Sequence, residues 1–179
     1  MLLRRAFKYL RRLYIEKSSS NTKVGYLKKM GMKIGERCQI NTMAFSDEPY
    51  LIELGNDVAI ATGTSFITHD GGIRCFSEFL EDDVFGRIII GNNVFIGEGC
   101  IILLNTIIGD NCIVGAGSVV RGRFPDNSII MGNPAKVITH MNVQRLLYRC
   151  NPGRIPTGFL SDKDKKPIVI KHLLPSNKY

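Results

Sequence analysis

Residues 90–120 read IGNNVFIGEGCIILLNTIIGDNCIVGAGSVV, and this stretch keeps a six-residue beat. Ile90, Ile96, Ile102, Ile108, Val114 and Val120 mark the beat, and Gly91, Gly97, Gly109 and Gly115 each follow an aliphatic residue of that series. Four residues after each aliphatic stands a small or short side chain: Val94, Cys100, Thr106, Cys112 and Ser118. A period of six suits neither an amphipathic helix nor a simple alternating strand. It predicts one short strand plus one turn, stacked many times into a β-solenoid. The aliphatic residues are expected to fill the interior, the small ones to sit where room is short, and the glycines to turn corners with φ > 0.

The beat recurs upstream in other registers. Leu54-Gly55, Ile60-Ala61 and Phe66-Ile67 keep it with Val58 and Thr64 at the small position, and Ile34-Gly35 and Ile40 keep it with Cys38 and Ala44. Residues 46–53 fall two residues out of phase, which predicts a bulge or short loop. Residues 70–87 break the pattern completely with Gly71, Gly72, Gly86 and the acidic run Glu81-Asp82-Asp83. Such an excursion from a regular coil is a place for function.

Four phrases carry a family resemblance: IGNNVFIGEGC (90–100), IIGDNCIVGAGSVV (107–120), MGNPAKVI (131–138) and FITHDGG (66–72). Together they resemble the hexapeptide-repeat acyltransferases, in the branch that O-acetylates sugars and polysaccharides. The resemblance implies an all-β domain, a left-handed parallel β-helix of triangular section with three hexapeptides to a coil. It also implies a homotrimer with active sites at subunit interfaces and acetyl-CoA as acyl donor. The expected organisation is a basic helical extension over 1–33, the β-helix over 34–138 with its excursion at 70–87, and a C-terminal helix plus extended tail over 139–179.

Charge divides the chain in the same way. Of the net +8, residues 1–33 hold ten Lys/Arg against one Glu, residues 34–138 six Lys/Arg against thirteen Asp/Glu, and residues 139–179 eight Lys/Arg against two Asp. No stacking-aromatic or groove-helix motif accompanies the basic ends, so no nucleic-acid partner is expected. Leu2, Leu3, Ala6, Leu10, Leu13 and Tyr14 recur at helical steps with arginines between them. This helix has two compatible readings, a cap over the solenoid's open end or a basic interfacial helix that meets an anionic membrane. Residues 18–22 read as a turn before a short helix over 23–30, and 137–148 as a helix over the far end. Pro152, Pro156, Pro167 and Pro175 argue against a continuous element in the tail. No apolar stretch approaches the ~20 residues of a spanning helix, and 1–14 lack the apolar region of a secretory signal. Five cysteines without metal-type spacing read as reduced and structural, which together predicts the cytoplasm, with the inner face of the membrane within reach of the arm.

Transfer of an acetyl group to a sugar hydroxyl needs a base, and histidine, with a pKa of about 6.5, suits that task. His69 stands at the mouth of the excursion, while His140 and His172 lie beyond the solenoid. The resemblance aligns His69 with the family's general base. Asp70 is either the group that orients it or a turn former. The resemblance further implies acetyl-CoA contacts at Glu98, Ala116, Arg121 and Gly122, with Lys136 against the CoA phosphates. Ala116 and Gly122 equally suit a purely corner-shaping role. Phe76, Phe79 and Phe85 are candidates for a carbohydrate platform or for anchors on a neighbouring subunit. Where many relatives turn with Pro-Gly, this chain has Leu104-Asn105; Asn tolerates the left-handed region, and Leu104 is expected to face outward. A single solenoid histidine excludes a three-histidine metal site, so no metal is expected. The remaining alternatives are an antibiotic acetyltransferase of the same fold and a non-catalytic assembly scaffold.

Overall fold

The computed structural model describes residues 14–174. The arginine-bearing part of the predicted N-terminal helix, with Arg4, Arg5, Arg11 and Arg12, therefore lies outside the described residues. Three parallel sheets form the body. The first joins Lys33–Ile34, Ile52–Leu54, Ile88–Ile90, Thr106–Ile108 and Arg123–Phe124. The second joins Gln39–Ile40, Ala59–Ile60, Phe95–Ile96, Ile113–Val114 and Ser128–Gly132. The third joins Ser65–Ile67, Ile101–Leu103 and Val119–Val120, extended by a bridge from Phe45 to Phe66. The chain visits the three faces in turn, so each circuit lays one strand on every face.

Every residue of the six-residue beat from Ile90 to Val120 is buried. Ile34, Leu54, Ile90, Ile108 and Phe124 line the inside of the first face, and Ile40, Ile60, Ile96, Val114 and Ile130 that of the second. β-Branched side chains dominate because the pleated strand accommodates them and each repeat must bury its apolar side on its neighbours. The short residues do more than save space. Ser118 Oγ donates to Gly115 O at 2.6 Å, Thr64 Oγ1 to Gly97 O at 2.8 Å and Cys100 Sγ to Gly115 O at 3.2 Å, which satisfies corner carbonyls in the interior. Burial pushes the Cys100 and Cys112 thiols above their ordinary range, so both stay protonated.

Coil length varies in an informative way. Phe95 pairs with Ile113, eighteen residues on, but Gln39 pairs with Ala59, twenty on. The first coil is thus enlarged by two residues at 46–53, where Pro49–Leu51 form a 3-10 turn. Glu53 pairs with Ile89, thirty-six residues on, so the excursion at 70–87 adds a full coil's length between neighbouring strands. Its ends zip together, His69–Asp70 running antiparallel to Val84–Phe85.

The expected role of the glycines is corrected. Gly91, Gly97, Gly109 and Gly115 do not have positive φ; that falls two residues later, at Asn93, Gly99, Asn111 and Gly117. The glycines are required by close approach instead. At Gly55, for example, a Cβ would stand 2.7 Å from the Gly91 carbonyl carbon and oxygen of the adjacent coil. One corner is braced by a side-chain ladder. Glu36 N donates to Asn56 Oδ1, Asn56 N to Asn92 Oδ1, Asn92 N to Asp110 Oδ1 and Asp110 N to Asp126 Oδ1, all at 2.6–2.9 Å. Leu104, expected to face outward, is buried, although it stands apart from the core cluster that holds Ile102 and Ile108, and Asn105 beside it turns the corner at φ +61.

The helix Ser20–Lys29 begins earlier than expected because Ser19 caps it, its hydroxyl accepting from Thr22 N. Ser20 Oγ accepts from Ile40 N at 2.7 Å and so satisfies the open edge of the first coil. At the other end, Ala135–His140 is a strand rather than the start of a helix. It turns back through the cis Asn133–Pro134 peptide and pairs antiparallel with Ser128–Gly132, covering the edge of that face. The helix Met141–Cys150 follows.

Residues 142–174 belong to a second unit with no buried residue among those described. The expected tail there contains a helix, Asp162–Leu173, with Pro167 inside it. Ser161 caps its start, Asp162 and Asp164 lie in the first turn, and Lys171 and His172 lie in the last, each complementing the helix dipole. His172 Nε2 lies 2.6 Å from Pro152 O within this unit. No helix among the described residues is long and apolar enough to cross a membrane.

Candidate active site

His69 leaves the third face at the edge where the excursion begins, and its side chain is 42 % exposed. Its Nδ1 lies 3.0 Å from Glu48 Oε2. Glu48 comes from the enlarged turn of the preceding coil, and only 15 % of its side chain is exposed. The two segments are zipped in register. Ser46 N donates to Phe66 O at 2.9 Å, Thr68 N donates to Ser46 Oγ at 3.2 Å, and Thr68 Oγ1 donates to Glu48 Oε2 at 2.8 Å. The twenty-residue coil is what sets Glu48 beside Thr68 and His69.

The hydrogen bond to Glu48 raises the His69 pKa above its ordinary value; desolvation works against this, and the charges of Glu48, Asp83 and Asp47 add to it. Burial alone would push the Glu48 carboxyl up, but the hydrogen bonds from His69 and Thr68 outweigh it and hold the group below its usual value. Glu48 is therefore an ionised acceptor at neutral pH, and Nδ1 must carry the proton of the shared hydrogen bond. The neutral ring then has a basic lone pair at Nε2, which makes no hydrogen bond among the described residues.

Glu48 is the site residue that sequence reading missed. Its signal is the two-residue phase slip at 46–53, which reads as a bulge until the coil is counted at twenty residues. Asp70, offered as an orienting group, instead accepts from Gly72 N at 2.8 Å and caps the 3-10 turn Gly71–Cys75. Phe85 lies near His69, with ring centroids 6.1 Å apart at 56°. Phe76 and Phe79 are exposed on the excursion, where Arg74 pairs with Asp83 and holds the loop to its returning strand.

The predicted donor-site residues fall into separate places. Glu98 and Ala116 stack on adjacent coils at one edge of the third face, since Gly117 N donates to Glu98 O at 2.8 Å. Arg121 and Gly122 lie at the opposite edge, the one from which His69 projects, two coils further on, or about 10 Å at the usual strand spacing. Lys136 is exposed on the strand Ala135–His140, paired with Met131. Within one chain His69 meets Glu48, Thr68 and Phe85, not the residues at the Glu98 edge. Gly99, Gly117 and Gly122 have positive φ and nothing within 4 Å of where a Cβ would stand. That leaves the corner backbone open to an extended ligand, while Arg121 and Lys136 make no ion pair among the described residues. Such corners fit a pantetheine chain and its phosphates.

The bacterial transferase hexapeptide family model, six repeats, matches residues 87–122. Protein CapG of Staphylococcus aureus is 46 % identical over 133 residues, covering 72 % of this chain and 77 % of CapG. The chain belongs to the hexapeptide-repeat transferase family. WbbJ of Escherichia coli (strain K12), whose name assigns it provisionally to lipopolysaccharide biosynthesis as an O-acetyl transferase, is 30 % identical over 122 residues, covering 63 % of this chain and 62 % of WbbJ. Among solved structures, a maltose O-acetyltransferase from Clostridium difficile 630 superposes with a TM-score of 0.54 at 26 % identity, over 75 % of this chain and 83 % of that one.

Proposed function

We propose that this protein is an acetyl-CoA-dependent O-acetyltransferase acting on a sugar hydroxyl of a surface polysaccharide or its precursor. The observation that carries this reading is a half-exposed imidazole with a free Nε2, backed by an ionised carboxylate, at the mouth of an aromatic-bearing excursion on a hexapeptide-repeat body. The names of WbbJ and of the C. difficile enzyme support the substrate class. The family's left-handed winding and homotrimeric assembly belong to the same reading. In a trimer a neighbour's Glu98 and Ala116 edge is available to meet the His69 edge of the first chain.

Acetyl-CoA supplies an activated acetyl thioester. The open corners at Gly99, Gly117 and Gly122 admit its arm, and Arg121 and Lys136 bind its phosphates. His69 Nε2 takes the proton of the acceptor hydroxyl as that oxygen bonds to the acetyl carbon. The carbon–sulfur bond breaks, and the departing thiolate recovers a proton from the imidazolium. Phe76, Phe79 and Phe85 face the acceptor with apolar surface suited to sugar rings.

Purified protein should release CoA thiol from acetyl-CoA in the presence of an oligosaccharide acceptor. His69→Ala should lower kcat by about two to four orders of magnitude with little change in the KM for acetyl-CoA. Full activity in that variant removes His69 from the mechanism. No thiol release with any sugar acceptor favours a scaffold, and release with a hydroxyl-bearing antibiotic as acceptor alone favours an antibiotic-modifying enzyme.

A further inference from the structure

We propose that Glu48, itself held by Thr68, is a positioning residue that fixes the His69 ring with Nδ1–H turned to the protein and Nε2 presented to the acceptor. This rests on the reading of His69 as the base. It adds a second residue to the machinery, drawn from a different coil.

Three observations carry it. First, the geometry is complete. Glu48 Oε2 receives His69 Nδ1 at 3.0 Å and Thr68 Oγ1 at 2.8 Å, so the carboxylate is itself held in place. Second, the group is costly to keep there without a purpose. A largely buried carboxylate is disfavoured unless paired, and among the described residues Glu48 has no Lys or Arg partner. Its one cation-forming neighbour is His69. Third, the coil is built to deliver it. The two extra residues at 46–53 bring Glu48 opposite Thr68, and the 3-10 turn Pro49–Leu51 starts directly after it, with Leu51 N donating to Glu48 O at 3.0 Å.

The chemical consequence is a choice of tautomer. An unconstrained histidine side chain prefers its proton on Nε2, the nitrogen that must act as base here. An acceptor-only carboxylate at Nδ1 reverses that preference. When Nε2 then gains the hydroxyl proton, the imidazolium forms beside a negative charge, which lowers the cost of the transition state. Asp70 has no share in this, since its carboxylate is spent on Gly72 N. The other charges acting on the ring are Asp47 from the same turn as Glu48 and Asp83 just before the returning strand, the latter paired with Arg74.

The test is a double-mutant cycle with a pH profile. Glu48→Gln should lower kcat about ten- to a hundredfold, leave the KM for acetyl-CoA within about twofold, and move the acid limb of kcat/KM to lower pH. The direction of that shift follows because Glu48 raises the His69 pKa. In a His69→Ala background the same change should cost nothing further. A purely structural Glu48 would reduce the amount of active protein without moving the acid limb, and that result overturns the proposal. If Glu48→Gln does not fold, nitrogen-15 NMR of the intact protein decides. The neutral His69 signal, identified by its loss in His69→Ala, should be the Nδ1–H tautomer, and an Nε2–H tautomer refutes the assignment. Should His69→Ala be fully active, the base itself falls. Should it be inactive while Glu48→Gln matches the unaltered enzyme in rate and pH profile, only the role of Glu48 falls.

Discussion

At the scale of single residues, His69 and Glu48 tie activity and stability to pH in opposite senses. The folded His69 pKa is raised, so its contribution to stability is fully present below the unfolded value of about 6.5 and is lost as pH rises through the folded value. Catalysis needs the neutral ring and therefore appears over the range where that contribution disappears. The folded Glu48 pKa is lowered, so its contribution holds above the unfolded value of about 4.3 and is lost as pH falls through the folded one. Both contributions are fully present only between the two unfolded values, about 4.3 and about 6.5. We predict a kcat/KM that rises with pH through a midpoint above that of free histidine, checked by steady-state rates across pH. A midpoint below about 6.5 contradicts the Glu48 contact.

At the scale of the coil, stacking is enforced by backbone proximity more than by turn conformation. Gly55→Ala would push a methyl against the Gly91 carbonyl of the adjacent coil, backbone that has no rotamer with which to yield. The variant should lose about 1–3 kcal/mol, read as a lower midpoint in chemical denaturation. Unchanged stability would mean that the coils have slack at that corner. The beat itself was legible in the sequence because inward residues repeat at fixed spacing, and Ile90 through Val120 are all buried as read. The glycine role was not legible, since composition does not distinguish a residue that needs positive φ from one that needs room. The burial of Leu104 was not legible either, since it lies outside the core cluster that the six-residue beat describes. The strand Ala135–His140 was missed because its pairing depends on an exposed edge that exists only once the last coil is laid down.

At the scale of the whole molecule, the motif singles out His69 as a candidate, while its partner is set by counting residues around a coil. Glu48 and His69 are twenty-one residues apart and meet only because one circuit is two residues longer than the regular eighteen. The residues proposed for the donor site divide between two edges of the third face, and in the proposed trimer a site between copies would give them common work. The proposed acetyl transfer by His69 is decided by mass spectrometry of surface glycans from cells lacking the native protein and supplied with either the unaltered chain or His69→Ala. The expected result is one acetyl ester per repeating unit with the unaltered chain and none with His69→Ala. Equal acetylation in both, or no acetyl ester in either, would contradict it.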